Sequence, residues 1–176
     1  LLITPATAQW PETIWVGTQD DGLWSFNQQE WVHFSRPVDL EPVEGIASNE
    51  VLALAEDGEG NLWIGTNGRG ISLFNRAGLS PFWGGSYWRT LTTIDGLSAN
   101  AVGAIAVGRD GIIWIGTVNG ADRFDSRSWR ALASPDLPAG LDVGTSLIDS
   151  SGVLWIGAEG SGLIRFDGHA LQRLTQ

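Results

Sequence analysis

One pentapeptide constrains this chain more than any other feature. Ile14-Trp15-Val16-Gly17-Thr18 recurs as Leu62-Trp63-Ile64-Gly65-Thr66, as Ile113-Trp114-Ile115-Gly116-Thr117 and as Leu154-Trp155-Ile156-Gly157-Ala158. The four tryptophans are 48, 51 and 41 residues apart. From each to a downstream phenylalanine (Phe26, Phe74, Phe124, Phe166) is 11, 11, 10 and 11 residues. A large apolar residue follows five positions later at Trp31, Trp129 and Leu171. In the second unit the equivalent ring is Trp88, fourteen later, which implies an insertion of nine residues. The underlying period is about 42 residues, the length of one four-stranded unit.

Each unit reads as four strands. The first is apolar, as in Val51-Leu52-Ala53-Leu54-Ala55 or Val102-Gly103-Ala104-Ile105-Ala106, and it runs into a turn such as Asp57-Gly58-Glu59-Gly60. Asp and Gly supply the positive φ angles and local hydrogen bonds that a tight hairpin needs. The W-I-G-T strand comes next, then a second Gly-rich turn, a third strand ending at the phenylalanine, and a fourth carrying the later ring. An aliphatic-Trp-aliphatic run is apolar on both faces, as a strand sandwiched between two neighbours must be. Its glycine admits a close backbone approach or a bend. No stretch has sustained helical periodicity. The chain is therefore expected to be all-β, a β-propeller of four tandem antiparallel blades at about 1–36, 49–94, 100–134 and 141–176. Four blades lie at the small end of the known range, so the array is read as part of a larger ring. A closed four-blade ring and a dimer closing eight blades are the alternatives, and open blade edges would favour self-association.

The motif set G-[LI]-x-x-N-x-V, D-x-x-G, [LI]-W-I-G-T and G-[LI]-x-x-F-[DN] resembles the two-component regulator propeller repeat. Gly96-Leu97-Ser98-Ala99-Asn100-Ala101-Val102 and Gly45-Ile46-Ala47-Ser48-Asn49-Glu50-Val51 carry its opening part. The first unit departs from it, with Pro5 in its first strand and no Asp/Gly turn, and the fourth opens Gly140-Leu141-Asp142-Val143 without the asparagine. The resemblance implies a larger, seven-bladed type of propeller and a ligand-sensing domain on the periplasmic or extracellular side, set before a membrane span and a histidine kinase or other output module. No such output part is in this sequence.

Composition removes several function classes. Net charge is −10 with no lysine, so a phosphate backbone would be repelled and nucleic-acid binding is not expected. With no cysteine there is neither disulfide nor thiolate chemistry. No apolar run approaches the roughly 18 residues of a membrane span. There is no methionine, so the chain is read as a processed or excised segment. Its start, through Ala6-Thr7-Ala8, reads either as a first strand or as a signal-peptide remnant.

No catalytic constellation stands out, and neither cofactor nor metal is expected. His33 and His169 lack metal-ligand spacing, and Glu56-Asp57-Gly58-Glu59-Gly60-Asn61 lacks the terminal bidentate glutamate of a calcium loop. Propellers usually bind ligands on the face formed by second-to-third-strand turns and inter-blade loops. That places Asp20, Asp21, Asn67, Arg69, Asn119 and Glu159 on one rim, overhung by Asp39, Glu41 and Glu44. A guanidinium such as Arg69 amid acids suits a carboxylate or a sugar hydroxyl. The insertion carries Phe82, Trp83 and Tyr87 in a Gly/Pro-rich loop, suited to a protein partner or to folding back on its own blade. The expected function is a non-enzymatic sensor propeller binding a small polar ligand or glycan. The alternatives are an interaction scaffold using Phe82–Trp88 and, further off, a propeller lyase or hydrolase.

Overall fold

The computed structural model describes residues 1–6, 10–36, 45–76, 86–132 and 140–174. Sixteen strands form four antiparallel sheets in chain order. The first holds β1 (Leu2–Thr4), β2 (Thr13–Gly17), β3 (Leu23–Phe26) and β4 (Trp31–Phe34). The second holds β5 (Val51–Glu56), β6 (Asn61–Thr66), β7 (Ile71–Asn75) and β8 (Trp88–Leu91). The third holds β9 (Val102–Val107), β10 (Ile113–Thr117), β11 (Gly120–Phe124) and β12 (Trp129–Ala131). The fourth holds β13 (Val143–Ile148), β14 (Leu154–Ala158), β15 (Gly162–Phe166) and β16 (Leu171–Leu174). These are propeller blades, and the W-I-G-T motif is the second strand of each.

The spacing of phenylalanine and the later ring has a direct cause. Phe26 pairs with Trp31, Phe74 with Trp88, Phe124 with Trp129 and Phe166 with Leu171 across the third and fourth strands. The rings of the first three pairs lie 4.8, 4.6 and 4.5 Å apart. The nine extra residues of the second blade therefore leave the register of β7 and β8 intact. Leu2–Thr4 does form a first strand, with Leu2 opposite Trp15 and Thr4 buried against Thr13.

Successive blades lock through the motif glycine. The first strands of blades two, three and four each shift register near their start. Val51, Val102 and Val143 then sit over the preceding blade's Gly17, Gly65 and Gly116, where a Cβ would come within 2.4, 2.9 and 2.3 Å of the valine Cγ1. Two main-chain bonds add to the first joint, Val51 N–H to Thr18 C=O at 2.8 Å and Gly22 N–H to Asn49 C=O at 2.8 Å, and Gly70 N–H to Asn100 C=O at 2.7 Å adds to the second. Each such bond nets about 1 kcal/mol, whereas each buried Leu, Ile or Val contributes about 1.5–3 kcal/mol. The apolar faces, not the bonds, hold the blades together. First strands pack in the order β1, β5, β9, β13, and among the described residues no packing of that extent joins the fourth blade to the first.

Candidate functional site

The turns between second and third strands share one end of the four sheets. The motif threonine closes them: Thr18 Oγ1 donates to Gly22 C=O at 2.8 Å, Thr66 Oγ1 to Gly70 C=O at 2.7 Å and Thr117 Oγ1 to Gly120 C=O at 3.0 Å. Asp20, Asp21, Asn67, Arg69, Asn119 and Glu159 all stand exposed on these turns. Several are already engaged. Asp21 accepts the Trp24 indole N–H at 3.0 Å, and its main-chain oxygen lies 2.6 Å from His33 Nε2. Asn119 Nδ2 donates to Ser98 C=O at 3.3 Å. Arg69 has neither hydrogen bond nor ion pair among the described residues. Coming from four separate turns, the six line neither of the clefts described below. Asp39, Glu41 and Glu44 lie outside the described residues.

Motif residues that read as ordinary linker turn out to be clasps. Asn49 accepts the Arg36 N–H at 2.6 Å and donates to the Arg36 C=O at 3.0 Å, and Asn100 accepts the Thr93 N–H at 2.9 Å. Each ties its inter-blade connection to the sheet that follows. Buried Asp122 accepts both the N–H and the hydroxyl of Ser98, at 2.8 and 2.5 Å. The asparagine of this motif is thus a structural device.

At the opposite end, the acidic turns are saturated from within. Asp57 Oδ1 accepts the N–H groups of Glu59 and Asn61, while Oδ2 accepts Asn61 Nδ2 and the Trp63 indole at 2.9 and 2.8 Å. Asp149 repeats the arrangement with Trp155 at 2.8 Å, and that indole N–H holds its carboxyl below the usual range. Such an aspartate has little left to offer a cation. Among the described residues no group of three or more His, Asp or Glu is placed to hold a metal. The third-to-fourth-strand turns use a second aspartate. Asp125 accepts the Ser128 and Arg127 N–H groups, and Asp167 those of Ala170 and His169, which lowers each to about 2. The residue after each acid is left-handed, at φ 66° for Ser126 and 91° for Gly168.

The joints between blades differ. In each, the motif tryptophan packs on the next blade's phenylalanine: Trp15 on Phe74 at 6.0 Å, Trp63 on Phe124 at 5.7 Å, Trp114 on Phe166 at 5.5 Å. The outer part of the first joint is filled by Trp10, edge-on to Phe74 at 5.7 Å, whose indole donates to the Arg76 C=O. Buried Arg76 pairs with Glu56. Burial raises the Glu56 carboxyl above its usual value, against the pull of the guanidinium. The second joint instead holds a cleft of about 550 Å³ and the third one of about 420 Å³. Asp110, Ile112 and Arg123 form the ridge between them. Nothing in the repeat distinguishes these joints, so reasoning from the motif passed over the clefts. The one signal for the plug was Trp10, a tryptophan outside the repeat.

His33 does not stand free in solvent; its ring stacks on Trp24 at 4.1 Å. Tyr87 is 39% exposed and its ring leans on Phe74 at 6.4 Å, while Phe82 and Trp83 lie outside the described residues. No helix among the described residues is long and apolar enough to cross a membrane.

The profile of the two-component regulator propeller family matches residues 45–68 and 96–119, in each case the clasp, first strand, acidic turn and W-I-G-T strand just described. Those two segments match the two-component regulator propeller repeat. No curated protein matches the sequence. Among solved structures, the array resembles the extracellular domain of a B. thetaiotaomicron protein assigned as a hybrid two-component system, at 19% identity and TM-score 0.72, covering 98% of this chain and 22% of that one. It also resembles a catalytically inactive virginiamycin B lyase from Staphylococcus aureus with quinupristin, at 16% identity and TM-score 0.67, covering 99% and 54%. An ancestral GH74 enzyme is similar at 13% identity and TM-score 0.65, covering 97% and 23%. These likenesses establish the fold, which sensors and enzymes share. The chain spans about a fifth of the two-component protein's length and about half of the lyase's.

Proposed function

We propose that the chain is a non-enzymatic ligand-sensing propeller domain of a bacterial two-component-type receptor, acting on the periplasmic or extracellular side and recognising a carbohydrate or another small polar ligand. The observation behind this reading is the two-component regulator repeat set in an array where Asp57, Asp122, Asp125, Asp149 and Asp167 are taken up by turns, indoles and clasps. Such an arrangement builds a rigid recognition scaffold and, among the described residues, sets no acid, base and nucleophile against one another. The two histidines sit on the first and fourth blades, against a catalytic partnership. A ligand that binds the native array raises its apparent stability by about 2.7 kcal/mol at one hundred times Kd. For a domain of this size that is roughly 5–10 °C in Tm. A thermal-shift screen against sugars, oligosaccharides and small polar metabolites tests the reading, and a screen with no stabilising compound defeats it.

The scaffold alternative rests, among described residues, on the exposed Tyr87 alone. The lyase or hydrolase alternative has only the shared fold behind it.

A further inference from the structure

We infer that the cleft between the second and third blades is a binding site for a neutral, hydroxyl-rich ligand with an apolar face, the chemistry of an oligosaccharide. The inference rests on the sensing function proposed above and moves its site from the turn rim to the opposite end of the blades.

The contrast between joints carries the argument. All are built from the same Trp-to-Phe contact, yet Trp10 and the Arg76–Glu56 pair fill the first while the second stays open at about 550 Å³. That volume is in the usual range for small-molecule sites, roughly 300–1,000 Å³. Its aromatic part is Trp129, tilted at 30° to Phe124 with ring centroids 4.5 Å apart, both half-buried and both lining the space. An aromatic face of this kind takes the C–H face of a pyranose.

The polar lining alternates in sign. Arg123 uses Nη1 on Asp125 at 3.2 Å, and Arg89 is only loosely paired, 3.6 Å from Asp95, so each retains donors. Asp110 accepts the Ile112 N–H on Oδ1, leaving Oδ2 as an acceptor. Hydroxyl groups, which donate and accept at once, satisfy such a mixed set, whereas a pure anion or cation satisfies half of it. The four lining carboxylates Asp57, Glu59, Asp110 and Asp125 outnumber the two guanidiniums. With a chain charge of −10, they disfavour an anionic ligand.

Position supplies the consequence. Leu73 and Arg89 belong to the second blade, while Asp110, Arg123 and Trp129 belong to the third. A ligand seated here touches both and favours one inter-blade geometry over others, which is how binding biases a conformational equilibrium.

The test is isothermal titration of the whole chain with neutral gluco-, manno-, xylo- and arabino-oligosaccharides, followed by titration of Arg123→Ala, Asp110→Asn and Arg69→Ala with any binder. Unliganded melting curves establish that each variant is folded, and Asp110→Asn keeps the Oδ1 acceptor should Arg123→Ala prove unstable. The expected result is at least tenfold weaker binding for Arg123→Ala and Asp110→Asn and no change for Arg69→Ala. A binder weakened by Arg69→Ala and untouched by the cleft substitutions overturns the cleft and leaves sensing at the rim. No binding by any of these oligosaccharides overturns the cleft chemistry. A failed wider screen of polar compounds would overturn the sensing function as well.

Discussion

The second and fourth blades carry nearly the same second strand, Leu-Trp-Ile-Gly-Thr and Leu-Trp-Ile-Gly-Ala, and the fold treats them differently. Every residue of Asn61–Thr66 is buried, whereas Leu154–Ala158 alternates between buried and half-exposed. Trp63 is 2% exposed and meets Phe124 of the following blade, while Trp155 faces away from the third blade, on the side where Leu147 is 63% exposed. The first blade mirrors this on its other side, with Trp31 55% exposed. Burial of the motif is thus a property of the joint. One strand sequence supplies two apolar faces, and neighbours decide how many are used.

Substitution of the motif tryptophan should break the comparison most sharply. Trp63→Ala removes a buried ring that packs on Phe124 and is expected to cost about 3–5 kcal/mol, with Trp155→Ala costing roughly half as much. Urea unfolding of the two variants measures the difference, and equal losses would mean that the exposed face is covered in solution.

The glycine locks should give a smaller effect in the same direction. Gly116→Ala drives a Cβ to 2.3 Å from Val143 Cγ1 and 3.0 Å from Ala104, inside a packed joint, and should cost about 1–3 kcal/mol. Gly157→Ala meets only the Thr145 methyl of its own blade, at 2.6 Å, and an exposed threonine can turn aside. That variant should fall within about 1 kcal/mol of wild type, since lost unfolded-state entropy offsets the contact. Unfolding midpoints at a common m-value check the pair.

The turn aspartates should erase the difference between blades. Asp125 and Asp167 are both lowered to about 2 by main-chain N–H donors of their own hairpins, so the two blades gain alike. A carboxyl lowered on folding contributes stability that is fully present above its unfolded pKa of about 4 and is lost as pH falls towards 2. Asp125→Asn and Asp167→Asn should flatten the loss of stability between pH 4 and 2 by similar, small amounts. A markedly larger effect at Asp125 would show that inner blades also tighten their turns.

Much of the fold was legible because it is local. The 10- or 11-residue step from Trp to Phe places β2 against β3, β6 against β7 and so on, and the later ring completes the register even across the insertion of the second blade. Candidate rim residues fell on exposed turns because Gly-rich turns after a strand are surface by necessity. The clasps of Asn49 and Asn100 and the Asp57–Trp63 and Asp149–Trp155 bonds were present as motif letters without a role, while Ser98 and Asp122 stood at variable positions of the motif. Their partners are set by chain reversal, which spacing alone does not reveal.

By itself, the sequence determined four blades and the strand order within each, and it offered Gly17, Gly65 and Gly116 for either a close approach or a bend. Those follow from period-two patterning, turn chemistry and the absence of a Cβ. The tertiary structure alone decided which W-I-G-T strands are buried on both faces, that Trp10 and Arg76 fill the first joint, and that the second stays open beside Arg123 and Trp129. The physical reason is that a joint is made by side chains tens of residues apart. Each Trp finds its Phe only once two blades have stacked, and whatever space they fail to fill becomes the cleft.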